Sequence, residues 1–277
     1  MRAIILCAGF GKRLLPHTNK LAKPAIPFLG IPGLCYPLYL AESLNLTDVT
    51  FNLHHLPETV KAAALKYVSP KYQTHFTLEA PNILDSGGGI KNAELLLKGD
   101  GHFLSLNGDT VCLFQSENPL TALFELHSKN APLATLLVQE HKSAGSSHGG
   151  VFVRENDFEV DHFAKSSTHT TLKTYHYLGI ALFSDRIFDY LPPHQPSNIL
   201  YDALTDGLKH DERVQICRAP EALWFETGNE RDFLAATNVC AQHLRENSSY
   251  GHYLHKLLSR FVPSWDLSQL NSSLNPF

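Results

Sequence analysis

The chemistry open to this chain is concentrated in a few glycine-bearing turns and the charged residues beside them. Gly9-Phe10-Gly11-Lys12-Arg13 follows directly on the apolar run Ala3-Ile4-Ile5-Leu6-Cys7-Ala8. That run is continuously apolar, carries β-branched residues and stops at a glycine, which predicts a buried parallel strand. Open α/β sheets bind ligands just beyond the carboxyl ends of such strands. Glycines there let backbone N–H groups close on a phosphate, with no Cβ to hold the anion off. The loop fits neither of two common phosphate binders. Leu14 stands where a dinucleotide fingerprint needs its third glycine, and Arg13 stands where a P-loop needs Ser or Thr. Taken alone, the segment also reads as a strand-to-helix turn with solvated Lys and Arg.

A second apolar strand, His102 to Leu106, ends at Asn107-Gly108-Asp109 and again brings polar atoms to the ligand edge of a sheet. On its own residues Asp109 is a turn or capping aspartate, common after strands. Gly87-Gly88-Gly89 precedes a helical pattern and could serve only as a flexible start. His54 and His55 lack the spacing and the carboxylate of a zinc helix, which leaves them hydrogen bonding in a core or loop.

These groups need a frame, and 277 residues suit one large α/β domain or one and a half smaller ones. The sequence is 43% hydrophobic and 18% charged, a balance that packs a core. A net charge of -4 with no long Lys/Arg block excludes a broad nucleic-acid footprint, but not a small phosphate-bearing ligand. Five scattered cysteines without a Cys-x-x-Cys pair read as reduced thiols. No apolar run approaches the roughly 20 residues of a membrane helix. The expectation is a cytoplasmic protein with no membrane partner and an open oligomeric state.

The positioning elements alternate. Helical spacing over 38–46, a strand at 49–53, a helix opened by Pro57, a strand near 74–78 and a helix over 90–97 behind the three glycines predict a mainly parallel sheet with helices on both faces. From about residue 131 the runs 133–138, 150–154, 158–163 and 173–183 predict a more antiparallel half. Helices are expected at 199–208 and 230–244. This divides residues 1–245 into halves at 1–130 and 131–245, with a helical extension over 246–277 that includes an amphipathic stretch at 250–261.

The order Arg13-Leu14-Leu15-Pro16-His17-Thr18, then Lys23-Pro24, carries a resemblance. With the preceding glycine loop it is similar to the opening of the sugar-1-phosphate nucleotidyltransferase family, L-x-A-G-x-G-x-R-L-x-P-x-T-x(4)-K-P. Lys12 and Ala22 depart from residues common in that family, and neither departure removes a needed charge. The resemblance implies a Rossmann-like, GT-A-like fold and a first half that binds a nucleoside triphosphate through Leu6, Ala8, Gly9, Gly11, Lys12, Arg13, Lys23, Asn52, Gly87 and Gly88. It implies that Arg13 meets the departing β- and γ-phosphates and that Lys23 meets the α-phosphate and the incoming sugar phosphate. It also implies that Asp109 ligates Mg²⁺. Arg13, Lys23 and Asp109 are then the catalytic set. Trp224-Phe225-Glu226-Thr227-Gly228 is similar to a Trp-x-Asp-x-Gly context, so Glu226 takes the place of a second metal-ligating aspartate. Asn107, Gly150 and Gly179 fall where relatives contact the sugar phosphate.

A Glu-Lys-Pro of several branches is represented only by Ala164-Lys165-Ser166, which argues against glucose- and thymidylyl-specific members. Phe51-Asn52-Leu53-His54-His55 and Tyr177 to Phe183 look closer to N-acetylmuramate-1-phosphate uridylyltransferases and mannose-1-phosphate guanylyltransferases. The resemblance therefore implies an EC 2.7.7-type enzyme. The reading is uridylyl transfer to an amino-sugar phosphate, a cell-wall precursor step, with guanylyl transfer to mannose-1-phosphate as its alternative. Two other classes compete. The departures at Lys12, Ala164 and Glu226 fit a nucleotide-sugar sensor that has lost chemistry, and a dinucleotide-dependent oxidoreductase should show no NAD binding without its third glycine.

Overall fold

Strand alternation decides which side chains enter which core. In β1 (Arg2–Leu6), Ala3 and Ile5 enter one buried cluster and Ile4 the cluster on the opposite face, as successive Cβ directions require. A computed structural model describes residues 1–116, 118–154, 158–166, 172–270 and 274. After β1 come β2 (Pro27–Phe28), β3 (Ile31–Pro32), α1 (Cys35–Glu42), β4 (Asp48–Leu53), α2 (Pro57–Tyr67) and β5 (Gln73–Leu78). They are followed by α3 (Asp85–Asn92), α4 (Glu94–Leu97), β6 (His102–Asn107), β7 (Val111–Leu113) and α5 (Thr121–Asn130). The remainder runs β8 (Ala134–Gln139), β9 (Gly150–Val153), β10 (Val160–Ala164), β11 (Lys173–Ser184), a π-helical turn at Ile199–Leu204, α6 (Thr205–Lys209), β12 (Val214–Arg218), β13 (Leu223–Phe225), α7 (Glu230–Arg245) and α8 (Ser249–Phe261).

β5, β4, β1 and β6 lie side by side and parallel, so their carboxyl ends share one edge. β11 joins antiparallel to β6, β8 antiparallel to β11, and β12 parallel to β8. The start of β11 pairs instead with β9, which carries β10. The architecture is thus the mixed α/β one that the alternation predicts, a mainly parallel sheet flanked by helices.

Two helices begin earlier than the sequence suggests, α1 at Cys35 rather than Leu38, and α3. The helix expected from Ile90 starts at Asp85, and Gly87, Gly88 and Gly89 are buried inside its first turns. The reason is close approach. A Cβ on Gly88 would sit 2.6 Å from the Gln195 carbonyl oxygen and 2.8 Å from Leu84 Cβ. The Gly87 and Gly88 N–H groups donate to the Ser197 carbonyl at 2.7 and 3.1 Å, satisfying donors that a helix start leaves open.

The expected helix at 250–261 is α8, and it packs inside the first cluster. Leu254, Leu257, Leu258 and Phe261 are buried with Cys35, Tyr36 and Leu38 of α1. Arg260 donates twice to Glu42, at 2.9 and 2.6 Å. Leu254 is fully buried, so Leu254→Ala should cost about 2–5 kcal/mol in urea unfolding. A loss under about 1 kcal/mol would mean that α8 lies on the fold without supporting it. All five cysteines are buried thiols, and among the described residues no helix is long and apolar enough to cross a membrane.

Candidate active site

The glycine loop is pinned at both ends. Cys7 N, the first amide beyond β1, donates to Asn52 Oδ1 of β4 at 2.6 Å. Leu14 N then donates to the Gly11 carbonyl at 2.8 Å, closing one 3₁₀ turn over Lys12–Leu14. Buried Leu14 anchors that turn while Lys12 and Arg13 are left exposed. A second 3₁₀ turn, Lys23–Ala25, carries Pro24 at its start and brings Lys23 back to the same edge.

Opposite the loop, β7 and β13 pair antiparallel, with Val111 against Phe225 and Leu113 against Leu223. This ribbon sets Glu226 beside Asp109, and Thr227 Oγ1 donates to the Asp109 carbonyl at 3.0 Å. Lys23 Nζ meets Asp109 Oδ2 at 2.5 Å. Loss of solvation raises the Asp109 pKa, but the charge and hydrogen bond of Lys23, helped by Arg13, bring it below the usual carboxylate range. Asp109 is therefore ionised at neutral pH. Glu226 uses both oxygens: Oε1 accepts from Gly228 N at 2.7 Å and faces Arg13 Nη2 at 3.4 Å, and Oε2 faces His148 Nε2 at 3.3 Å.

Two cavities meet at these charges. A cleft of about 410 Å³ is lined by Leu6, Gly9, Gly11, Lys12 and Arg13, among others. A smaller cavity of about 200 Å³ shares Arg13, Lys23, Asn107 and Asp109 with it and continues to His148, His176, Gly179, Trp224 and Glu226. Gly179 has φ +75°, and a Cβ there would lie 2.6 Å from Asn107 Nδ2 and 2.7 Å from Thr110 Oγ1, so only glycine lets β11 pass this close to the end of β6.

Residues 2–243 match the family model described as nucleotidyl transferase. The chain belongs to that family. It is 27% identical over 255 residues to the mannose-1-phosphate guanyltransferase of Aspergillus fumigatus, a match covering 90% of this chain and 66% of the relative. The chain thus spans just under two thirds of the length of the first curated relatives it matches. Among solved structures, a UDP-glucose pyrophosphorylase from Acinetobacter baumanii superposes with a TM-score of 0.72 at 15% identity, covering 93% of this chain and 98% of that one. The inositol-1-phosphate CTP transferase from T. maritima superposes with a TM-score of 0.68 at 15% identity, covering 83% and 90%. Both likenesses are likenesses of fold.

In this chain the two cavities gather Leu6, Gly9, Gly11, Lys12, Arg13, Lys23, Asn107, Asp109, Gly179 and Glu226. The other residues singled out in the sequence stand behind or away from them. Ala8 is buried. Asn52 is buried between Cys7 N and Glu79 Oε1, to which it donates at 2.7 Å. Gly87 and Gly88 abut Ser197, and Gly150 packs on Thr174 and Phe152. The walls also contain Phe10, Thr110, His148 and His176, which the sequence reading passed over. His148 had one available signal, the Ser/Gly-rich turn Ser146-Ser147-His148-Gly149-Gly150 between two strands.

His141, His148 and His176 stand 5.6 to 5.7 Å apart by ring centroid, and all three contact Trp224. Burial, then the proximity of His141 and His148, lowers the His176 pKa to about 4, so its ring is neutral. Burial and His148 also lower that of His141.

Proposed function

We propose that the protein transfers a nucleotidyl group from a nucleoside triphosphate to a sugar-1-phosphate, giving an NDP-sugar and pyrophosphate. One observation carries this reading. Lys12, Arg13 and Lys23 converge at a cleft whose border with a second cavity, continued by His148, His176, Gly179 and Trp224, holds Asp109. That arrangement suits a polyphosphate on one side and a phosphate-bearing neutral ring on the other.

A sugar-phosphate oxygen attacks the α-phosphorus in line, a new P–O bond forms, and the bond to the β-phosphate breaks. The attacking phosphate is already ionised near neutral pH, so no protein nucleophile or general base is needed. Catalysis reduces to positioning and charge stabilisation. Arg13 forks onto the departing pyrophosphate, and the glycine-loop amides hold the chain of phosphates. Lys23, oriented by Asp109, offsets the repulsion between the two polyanions.

Among the described residues no group of three or more His, Cys, Asp or Glu could hold a metal ion. Mg²⁺ does not require one, because it takes one or two carboxylates together with water and substrate phosphates. Asp109 and Glu226 both line the smaller cavity and supply hard oxygen donors that fit it. Held there, Mg²⁺ would neutralise charge on the reacting phosphates.

The curated relatives are named mannose-1-phosphate guanyltransferases, which supports GTP and mannose-1-phosphate as the substrate pair. The Phe51 to His55 stretch is similar to both the muramate and the mannose branches and so keeps UTP and N-acetylmuramate-1-phosphate as a second reading. Pyrophosphate release by the purified protein with Mg²⁺, across the common triphosphates and these two sugar phosphates, tests both. The expected result is turnover with GTP and mannose-1-phosphate. Turnover confined to UTP and the muramate substrate would select the second reading. Nucleotide binding without pyrophosphate from any pair would make the protein a nucleotide-sugar-binding regulator.

A further inference from the structure

His176 is 7% exposed and lines the smaller cavity, yet neither of its ring nitrogens has a hydrogen-bond partner among the described residues. A buried histidine with a purely structural duty normally holds one. His127 in this chain is as deeply buried and bonds Thr135 Oγ1 at 2.9 Å. Gln139, opposite His176 in the β8–β11 pair, has a buried Oε1 that is likewise unpartnered. Unpaired buried polar atoms carry a desolvation penalty. A ligand group that donates and accepts at once would relieve it.

We propose that His148 and His176 select the sugar of the sugar-1-phosphate by hydrogen-bonding its ring hydroxyls, an inference that rests on the reading of the site as a nucleotidyl transfer centre. The chemistry of the wall fits a hydroxyl. A neutral imidazole offers one N–H donor and one bare nitrogen acceptor, and a hydroxyl is both acceptor and donor. The cations of the cavity stand at the edge shared with the larger cleft, while the far wall holds His148, His176 and Trp224. A sugar-1-phosphate bound with its phosphate at Lys23 lays its ring along that wall.

Access to His176 is controlled by its neighbours. The rings of His141, His148 and Trp224 stand against it at 5.6, 5.6 and 4.3 Å. His141 and His148 both belong to the β8–β9 connection, which is closed by Gly145 N donating to the Gly149 carbonyl at 2.7 Å. His148 is the more exposed of the two cavity histidines, and its Nε2 reaches Glu226. Rotation of its side chain opens the His176 ring to a ligand and brings a second imidazole onto the sugar. The same rotation joins sugar recognition to the carboxylate that Arg13 contacts.

The test uses the full-length protein, with His176→Phe to keep a ring without nitrogens and His148→Gln to keep a donor and acceptor of another shape. Initial rates are measured against the preferred sugar-1-phosphate and against its monodeoxy analogues, with the triphosphate saturating and then varied. In His176→Phe, KM for the sugar-1-phosphate should rise about tenfold or more while KM for the triphosphate stays within about twofold. The wild type should reject at least one monodeoxy analogue that the variant treats like the parent sugar, and His148→Gln should change the order of preference among sugar phosphates. Equal discrimination of the deoxy analogues by wild type and both variants would overturn the inference and leave nucleotidyl transfer standing. So would a rise in KM for the triphosphate matching that for the sugar. Absence of turnover by the wild type with every pair defeats the reading of the site, and this inference with it.

Discussion

Asp109→Asn should lower kcat for pyrophosphate release by about 10²–10³-fold while the protein stays folded. The side chain keeps its shape and loses only its charge, so the effect reports what the carboxylate does. Two consequences act together. The 2.5 Å contact that orients Lys23 loses its ionic character, and one of the two carboxylates lining the smaller cavity is gone. KM for the triphosphate should change much less, since the glycine loop and Arg13 are untouched. Lys23→Ala should match this loss, because Lys23 is the better-shielded partner, its side chain 13% exposed against 39% for Asp109. The double variant should be no slower than the worse single one if the pair works as a unit. Steady-state rates, with circular dichroism to confirm the fold, give the answer. A rate within about threefold of wild type for either single variant would remove that residue from the chemistry.

Glu226→Ala is expected to have the next largest effect, about 10²-fold in kcat with a raised Mg²⁺ requirement. In the folded chain Glu226 is a junction, its Oε1 bound by Gly228 N and facing Arg13, its Oε2 facing His148. Removing it frees Arg13, whose side chain is 67% exposed and has this carboxylate as its ion-pair partner. Glu226→Asp should recover part of the rate, since it restores the charge one methylene short. Rate against Mg²⁺ concentration separates two roles. A raised half-saturating Mg²⁺ identifies a metal ligand, whereas an unchanged one with a slower rate identifies an anchor for Arg13 alone.

Local signals made much of this protein legible in its sequence. The apolar run before Gly9 and the run before Asn107 became adjacent parallel strands, and their ends carry the loop and Asp109 where an open sheet presents ligands. The charged residues Arg13, Lys23 and Asp109, which the family resemblance assigns to one site, line one cleft. Non-local packing was hidden. Gly87 and Gly88 are glycines because the segment around Ser197, far along the chain, presses on them. The buried amide of Asn52, which the resemblance assigns to the nucleotide, bridges Cys7 N and Glu79 and holds the loop from behind, a contact no local pattern shows. His176 lies in a strand with no motif around it. Beside Gln139 across the β8–β11 pair, it is the β8–β9 connection and β13 that bring His141, His148 and Trp224 against it, and no reading of periodicity carries that information.

The ribbon of β7 and β13 has a consequence for the order in which function arises. Thr227 touches Asp109 across 118 residues of sequence, one of the longer loop closures in the protein and therefore a late one by the entropy it must overcome. A nascent chain halted before β13 would carry its glycine loop, Lys23 and Asp109, but not α7 and α8, whose Phe233, Leu254 and Leu258 complete the first buried cluster. It would lack the second carboxylate. The second carboxylate of the smaller cavity and the helices that close the core thus emerge together, after β13.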